Sequence, residues 1–300
     1  MKGWTYSLIR KHNGWDRRDD SLERKLVIDK EDYVEPNCLL CGEPYGKEPA
    51  IKAIPQQRVM EKVDEYMSKK DYAGVERHLL YWLEEARLGH DLKGELMVQN
   101  ELIGHYRKTG DQNHAFQHAE ETLKLLDEND FSGMIAEGTT YVNIATVFNA
   151  FDENEKSLNL FEKARSIYES IPTVKNELLG GLYNNMALGY AALNQFQQAY
   201  AYYHKALEKM KLVEHGELEQ AITYLNLAET VEKEKGQEEA EQTIEGYLDQ
   251  AMELLDTPSI PRNGYYAFVC EKCAPSFSYY GYFLAEQELK ERAKAIYERA

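Results

Sequence analysis

Between Leu182 and Leu207 the large apolar residues recur every three or four positions, the spacing that places them on one face of a helix. Tyr183, Met186 and Tyr190 form a first stripe, the polar pair Asn194-Gln195 interrupts it, and Phe196, Ala199, Tyr203 and Ala206 form a second. Small residues at Ala187, Ala199 and Ala206 let two helices approach closely, so the pattern predicts an antiparallel helical hairpin. The same layout recurs along the chain. The small or modest residue ending each second stripe is Thr122, Ala164, Ala206, Ala251 and Ala300, at steps of 42, 42, 45 and 49 residues. The small-residue slot of each first helix (Ile103, Ala145, Ala187, Ala228 and Gly281) precedes it by 19, 19, 19, 23 and 19 residues. The one excess of four is about a single helical turn and falls at the charged stretch 232–242. A weaker unit with Tyr66, Tyr72, Val75, Leu79 and Trp82 on its stripes comes first.

The predicted fold is therefore all-α, with about six hairpins over residues 56–300, near 56–91, 92–130, 131–172, 173–214, 215–258 and 259–300. A single hairpin cannot bury both of its apolar faces, so neighbours must stack. The last unit reaches Ala300 within its second helix. Either the chain is truncated there, or its apolar end is expected to be covered by a partner, by a second copy in a homodimer, or by the amino-terminal segment. That segment, residues 1–55, does not follow the repeat. Trp4, Tyr6 and Leu8 alternate as in a strand, Asp20 opens a short helix, and Pro36, Pro44, Pro49 and Pro55 punctuate the rest. It reads as an irregular arm anchored by Trp4 and Trp15, too poor in helices for a DNA-binding motif.

The stretch Leu182–Leu207 resembles the tetratricopeptide repeat (TPR). Tyr183, Met186, Ala187, Tyr190, Asn194, Phe196, Ala199, Tyr203 and Ala206 fill that repeat's aromatic, Leu, Gly/Ala, Tyr, Gly, Tyr, Ala, Tyr/Phe and Ala positions in order. Asn194 replaces the usual turn glycine. The 42-residue period is similar to the lengthened repeats of kinesin light chain and of Gram-positive signalling-peptide receptors. The resemblance implies a right-handed superhelix whose first helices line a groove. It also implies that first-helix residues around the second, fifth, sixth, ninth and twelfth positions face that groove; the fifth reads Asn100, Val142, Asn184, Leu225 and Ser278, and the sixth Glu101, Asn143, Asn185, Asn226 and Tyr279. An asparagine amide matches the donor and acceptor of a peptide backbone. The expected peptide-binding residues are Asn100, Asn143, Asn184, Asn185 and Asn226, with Glu229, Tyr279 and Tyr282 selecting side chains. The alternative reading of these asparagines is that they brace adjacent helices.

Net charge changes the picture for partners. At −17 overall, with residues 1–30 at +3, the body is acidic, which argues against nucleic acid and anionic membrane as partners. No segment is apolar enough to span a bilayer, and the first residues lack the core of a secretory signal, so a cytoplasmic location is expected. All four cysteines lie in Cys-x-x-Cys pairs, Cys38/Cys41 and Cys270/Cys273, the second in the longer connection between Ala251 and Gly281. Four thiolates make the usual closed tetrahedral site, so a structural zinc shared by the two pairs is the leading reading. It requires the array to curl or two molecules to meet, since residues 42–57 extend only ~50–58 Å. Two metal-free pairs, the second packed on a helix face, and a redox switch are the alternatives. His114 and His118 read as solvated polar residues. No phosphate loop or nucleophile elbow is present, and a non-enzymatic protein- or peptide-binding scaffold is expected. The alternatives are a thiol- or zinc-dependent regulator and a self-associating structural array.

Overall fold

A computed structural model describes residues 51–299, and these are folded as twelve α-helices. They are α1 (Gln56–Ser68), α2 (Tyr72–Leu88), α3 (Leu92–Thr109), α4 (Gln112–Glu128), α5 (Ile135–Ala150), α6 (Asn154–Ser170), α7 (Asn176–Ala192), α8 (Phe196–Met210), α9 (Glu217–Lys235), α10 (Gln237–Leu255), α11 (Gly264–Tyr279) and α12 (Phe283–Tyr297). Each odd helix packs along the even helix that follows it, giving six hairpins. The odd helices also touch one another in succession, α3 on α5, α5 on α7, α7 on α9 and α9 on α11, so they build one continuous inner wall. The architecture is that of a tetratricopeptide-type array. The arm, with Trp4, Trp15, Cys38 and Cys41, lies outside the described residues.

Local sequence sets the period. Each turn inside a hairpin holds a residue at positive φ: Lys70, Gly110, Asp152, Asn194, Gly236 and Gly281, at steps of 40, 42, 42, 42 and 45. Aspartates start three helices by accepting a backbone N–H: Asp71 from Gly74, Asp91 from Gly94 and Asp111 from His114. Asp91 is itself buried and accepts the Ile54 N–H at 2.9 Å as well, which ties the chain entering α1 to the start of α3. At the closest helix crossings stand fully buried alanines: Ala145 and Ala164, Ala187 and Ala206, Ala228 and Ala251. Larger side chains fill the remaining space: Phe161, Tyr168 and Met186 belong to one buried cluster, with Tyr168 set against Gly138 and Thr139 of α5. The four extra residues of the fifth hairpin are absorbed by lengthening both arms, so that α9 and α10 each run 19 residues.

The last hairpin departs from the spacing read in the sequence. Gly281 (φ 86°) is the turn residue and not the small slot of the first helix. That slot is Ala274, and its partner on α12 is Ala293, 19 residues on and 42 beyond Ala251. Both are fully buried. The register slip has two consequences. Cys270 and Cys273 belong to the body of α11 and not to an inserted connection, which is the shorter stretch 256–263. The sixth position of this hairpin, two residues before the slot, is occupied by Lys272 and not by Tyr279.

Candidate binding groove

Three cavities share walls and together run as a trough along the inner helices. The first, about 530 Å³, lies between α3 and α5 and is lined by Met97, Asn100, Glu101, Phe131, Thr140 and Asn143 among others. The second, about 560 Å³, shares Asn100, Glu101 and Asn143 with it, adds Arg107, Val142, Thr146, Asn149, Asn185 and Leu188, and is reached by Lys272. The third, about 180 Å³, continues past Asn184, Asn185 and Lys272 to Glu219, Ile222 and Tyr265. A side chain from the sixth hairpin thus borders the same space as side chains from the second, and the array must curl to bring them together.

The expected asparagines divide into two groups. Asn143 donates its amide to Asn100 Oδ1 at 2.7 Å, and Asn226 donates to Asn184 Oδ1 at 3.0 Å. Both bonds join position six of one hairpin to position five of the hairpin before it. Asn100 is committed further, its amide donating to the Leu96 carbonyl and to Thr140 Oγ1. These residues brace the inner wall: Asn100 is largely spent inside the protein, whereas Asn143 keeps its oxygen and Asn184 its amide N–H groups without a partner among the described residues, and both also border the cavities. Asn185 differs because the preceding hairpin offers it Val142 in place of an asparagine. Its amide has no hydrogen-bond partner among the described residues and borders two of the cavities.

Other expected residues fall elsewhere. Tyr279 ends α11 and donates to Glu232 at 2.8 Å, as does its neighbour Tyr280. Tyr282 is the residue before α12 and packs against the core of the last two hairpins. Glu229 is exposed on α9, and its charge helps raise the pKa values of Tyr279 and Tyr280. None of the three lines the trough, and neither does Asn226. The sequence reading missed Arg107, Thr146, Asn149 and Lys272. Taking Gly281 as the counterpart of Asn194 would have placed Lys272 at position six; Arg107, at the twelfth, lay within the set of positions that the repeat directs inward.

Electrostatics set this site apart from the acidic body. Burial pushes the Glu101 carboxyl above the usual range, with the charge of Asp64 adding to it. Partial desolvation lowers the pKa of the Arg107 guanidinium, although the residue as a whole is exposed. His118 is buried, contrary to a solvated reading: its Nδ1 lies 2.7 Å from Gln99 Oε1, and its ring stacks on Tyr106. Burial lowers its pKa and so favours the neutral ring.

Cys270 and Cys273 are buried among apolar side chains. Burial pushes the Cys270 thiol up and the Cys273 thiol to about 12, so both are held protonated at neutral pH. That is the opposite of the lowered pKa a reactive thiol requires. A zinc would need both as thiolates, and no third His, Cys, Asp or Glu stands with them among the described residues. As packed, the pair does not form a metal site by itself. Its proposed partners Cys38 and Cys41 lie outside the described residues.

Comparison with known proteins locates the chain only among structures. No family model matches it. No curated protein matches it either. Among similar solved structures is BtubC (BKLC) from P. vanneervenii, 17% identical, covering 82% of this chain and 92% of that one with a TM-score of 0.46. A second is a Podosopora anserina protein described as a kinesin light chain with nearly identical TPR-like repeats, 17% identical, covering 68% and 95% with a TM-score of 0.47. A third is MamA protein, 15% identical, covering 69% and 98% with a TM-score of 0.43. No helix among the described residues is long and apolar enough to cross a membrane.

Proposed function

We propose that the chain is a non-enzymatic binding scaffold that takes an extended polypeptide segment along the trough formed by α3, α5, α7 and α11. The observation that carries this reading is the continuity of three cavities on one wall, with the Asn185 amide uncommitted where two of them meet. A trough of this length suits a chain of several residues better than a compact ligand. Its lining alternates apolar patches (Met97, Val142, Leu188, Ile222) with amides and hydroxyls, the mixture that seats side chains and backbone together. The asparagine pairs Asn143–Asn100 and Asn226–Asn184 serve the function indirectly by holding the wall in register. This modifies the ladder expected from the sequence, in which every asparagine meets the ligand.

The test is selection of random dodecapeptides, displayed as internal fusions, on the full chain, followed by titration of the recovered peptides. Thr146→Arg, which fills the middle cavity, is expected to weaken binding at least about tenfold while circular dichroism stays unchanged. Asn185→Ala, removing one uncompensated amide contact, is expected to weaken it about three- to tenfold. Recovered peptides that bind both variants as well as the unaltered chain, or a selection that yields no binders, would contradict the proposal.

A further inference from the structure

Of the arginines outside the trough, Arg87, Arg165, Arg262 and Arg292 are engaged by neighbours, whereas Arg58, Arg77 and Arg299 have no ion pair among the described residues. Arg87 pairs with Glu95 and Glu121, Arg165 with Glu162 and Glu169, and Arg292 with Asp256 and Glu288. Arg262 donates to the Leu255 and Thr257 carbonyls and lies over the Tyr266 ring. Arg107 has no carboxylate within ion-pair distance among the described residues, although it borders a cavity of about 560 Å³ in a chain with a net charge of −17. Lys272, reaching the same cavity from the far hairpin, is likewise unpaired among the described residues. In so acidic a protein, two unmatched cations at one cavity leave charge available for a ligand.

The rest of the lining agrees with this. Glu101 is the single carboxyl among the lining residues, and its environment favours the neutral form, so it opposes an incoming anion less than an exposed glutamate would. Asn185 and Asn149 add amide N–H groups that can donate to an anion, whereas the buried Asn149 Oδ1, which has no partner among the described residues, is an acceptor and takes no part in holding one. A planar guanidinium can hold a carboxylate through two parallel hydrogen bonds, and a lysine supplies a second, adjustable charge. The surrounding acidity repels a strongly anionic ligand at long range, so the anionic group must arrive on a polypeptide held by the wider trough.

We propose that the cavity bordered by Arg107, Lys272 and Asn185 is the subsite for one acidic side chain, Asp or Glu, within the bound polypeptide. This rests on the reading of the trough as a polypeptide site and adds the ligand's chemistry to it. Because Arg107 belongs to the second hairpin and Lys272 to the sixth, one carboxylate between them ties the two ends of the inner wall together. Segments that fit best carry a single acid flanked by apolar or basic residues, which suit the apolar lining and the acidic body of the chain.

The same selection of displayed dodecapeptides decides it, since an internal fusion presents no terminal carboxylate. The expected result is enrichment of one Asp or Glu position, with a loss of about ten- to a hundredfold in affinity when that residue is changed to Asn or Gln. Arg107→Gln and Lys272→Gln should each weaken the acidic peptide at least about tenfold and leave its amide counterpart nearly unaffected, with unfolding midpoints unchanged. Peptides that are blocked by Thr146→Arg yet show no acidic preference, or ignore Arg107→Gln and Lys272→Gln, overturn this inference while the polypeptide site stands. Peptides indifferent to Thr146→Arg overturn both.

Discussion

Tyrosine and glutamate do much of their work in this protein as pairs. Tyr106 donates to Glu76, Tyr183 to Glu169, Tyr200 to Glu234, and Tyr279 and Tyr280 both to Glu232. These bonds explain why a chain with 22 tyrosines and so many carboxylates remains well packed: ring faces fill the gaps between helices while the hydroxyl reaches an acid at the edge. Glu121, on the second helix α4, accepts hydrogen bonds from three neighbours. Burial raises its pKa, but hydrogen bonds donated by Gln117, Arg87 and Gln99 outweigh that and hold the carboxyl at about 2. A folded pKa below the usual 4.5 means that the stabilisation is present above that pH and is lost as pH falls toward about 2. The site is partly open to solvent, so the contribution is discounted to about 1–2 kcal/mol at neutral pH. Urea unfolding of Glu121→Gln should therefore show a lower midpoint than the unaltered chain at pH 7, with the gap closing as the pH is lowered from about 5 to about 2. A gap independent of pH would show that the network contributes nothing through its charge.

Among the helices, the sixth hairpin shows where sequence periodicity stops being decisive. The 42-residue recurrence through Thr122, Ala164 and Ala206 was legible because small residues at tight crossings cannot be exchanged for large ones. It failed after Ala251 because Tyr279-Tyr280-Gly281-Tyr282 imitates the aromatic and small positions of a first helix. Pro275, which lacks a helix donor, further disguises α11 as a break. The physical marker that resolves the register is the short turn at Gly281, which joins α11 to α12 at positive φ as Gly110 and Gly236 join their own helix pairs, although His90, Gly133 and His215 carry the same sign between hairpins. Ala274→Leu should accordingly destabilise the chain by about 1–3 kcal/mol through overpacking at a fully buried slot. Tyr279→Leu, at an exposed position, should cost less than about 1 kcal/mol. Equal unfolding midpoints for the two variants would contradict Ala274 as the tightly packed slot. The groove residues were half legible for a related reason. Asn185 follows from the repeat, but whether an asparagine meets a ligand or a neighbouring helix depends on the residue 43 positions earlier, which is Asn100 for Asn143 and Val142 for Asn185.

At the scale of the whole molecule, stacked hairpins turn a local rule into a surface that no single repeat possesses. The inner wall gathers Arg107, Asn143, Asn185 and Lys272 from hairpins two, three, four and six, and curvature alone brings the last to the first. The account stands on that wall being where the polypeptide lies. The most direct measurement places a photo-crosslinking residue singly at Val142, Leu188 or Ile222 on the inner wall and at Lys163 or Lys205 on the second helices, then irradiates each variant with a selected dodecapeptide. The account predicts covalent capture from the three inner positions, suppressed by excess unlabelled peptide, and background yields from Lys163 and Lys205. Capture from the second helices at equal or greater yield would contradict it.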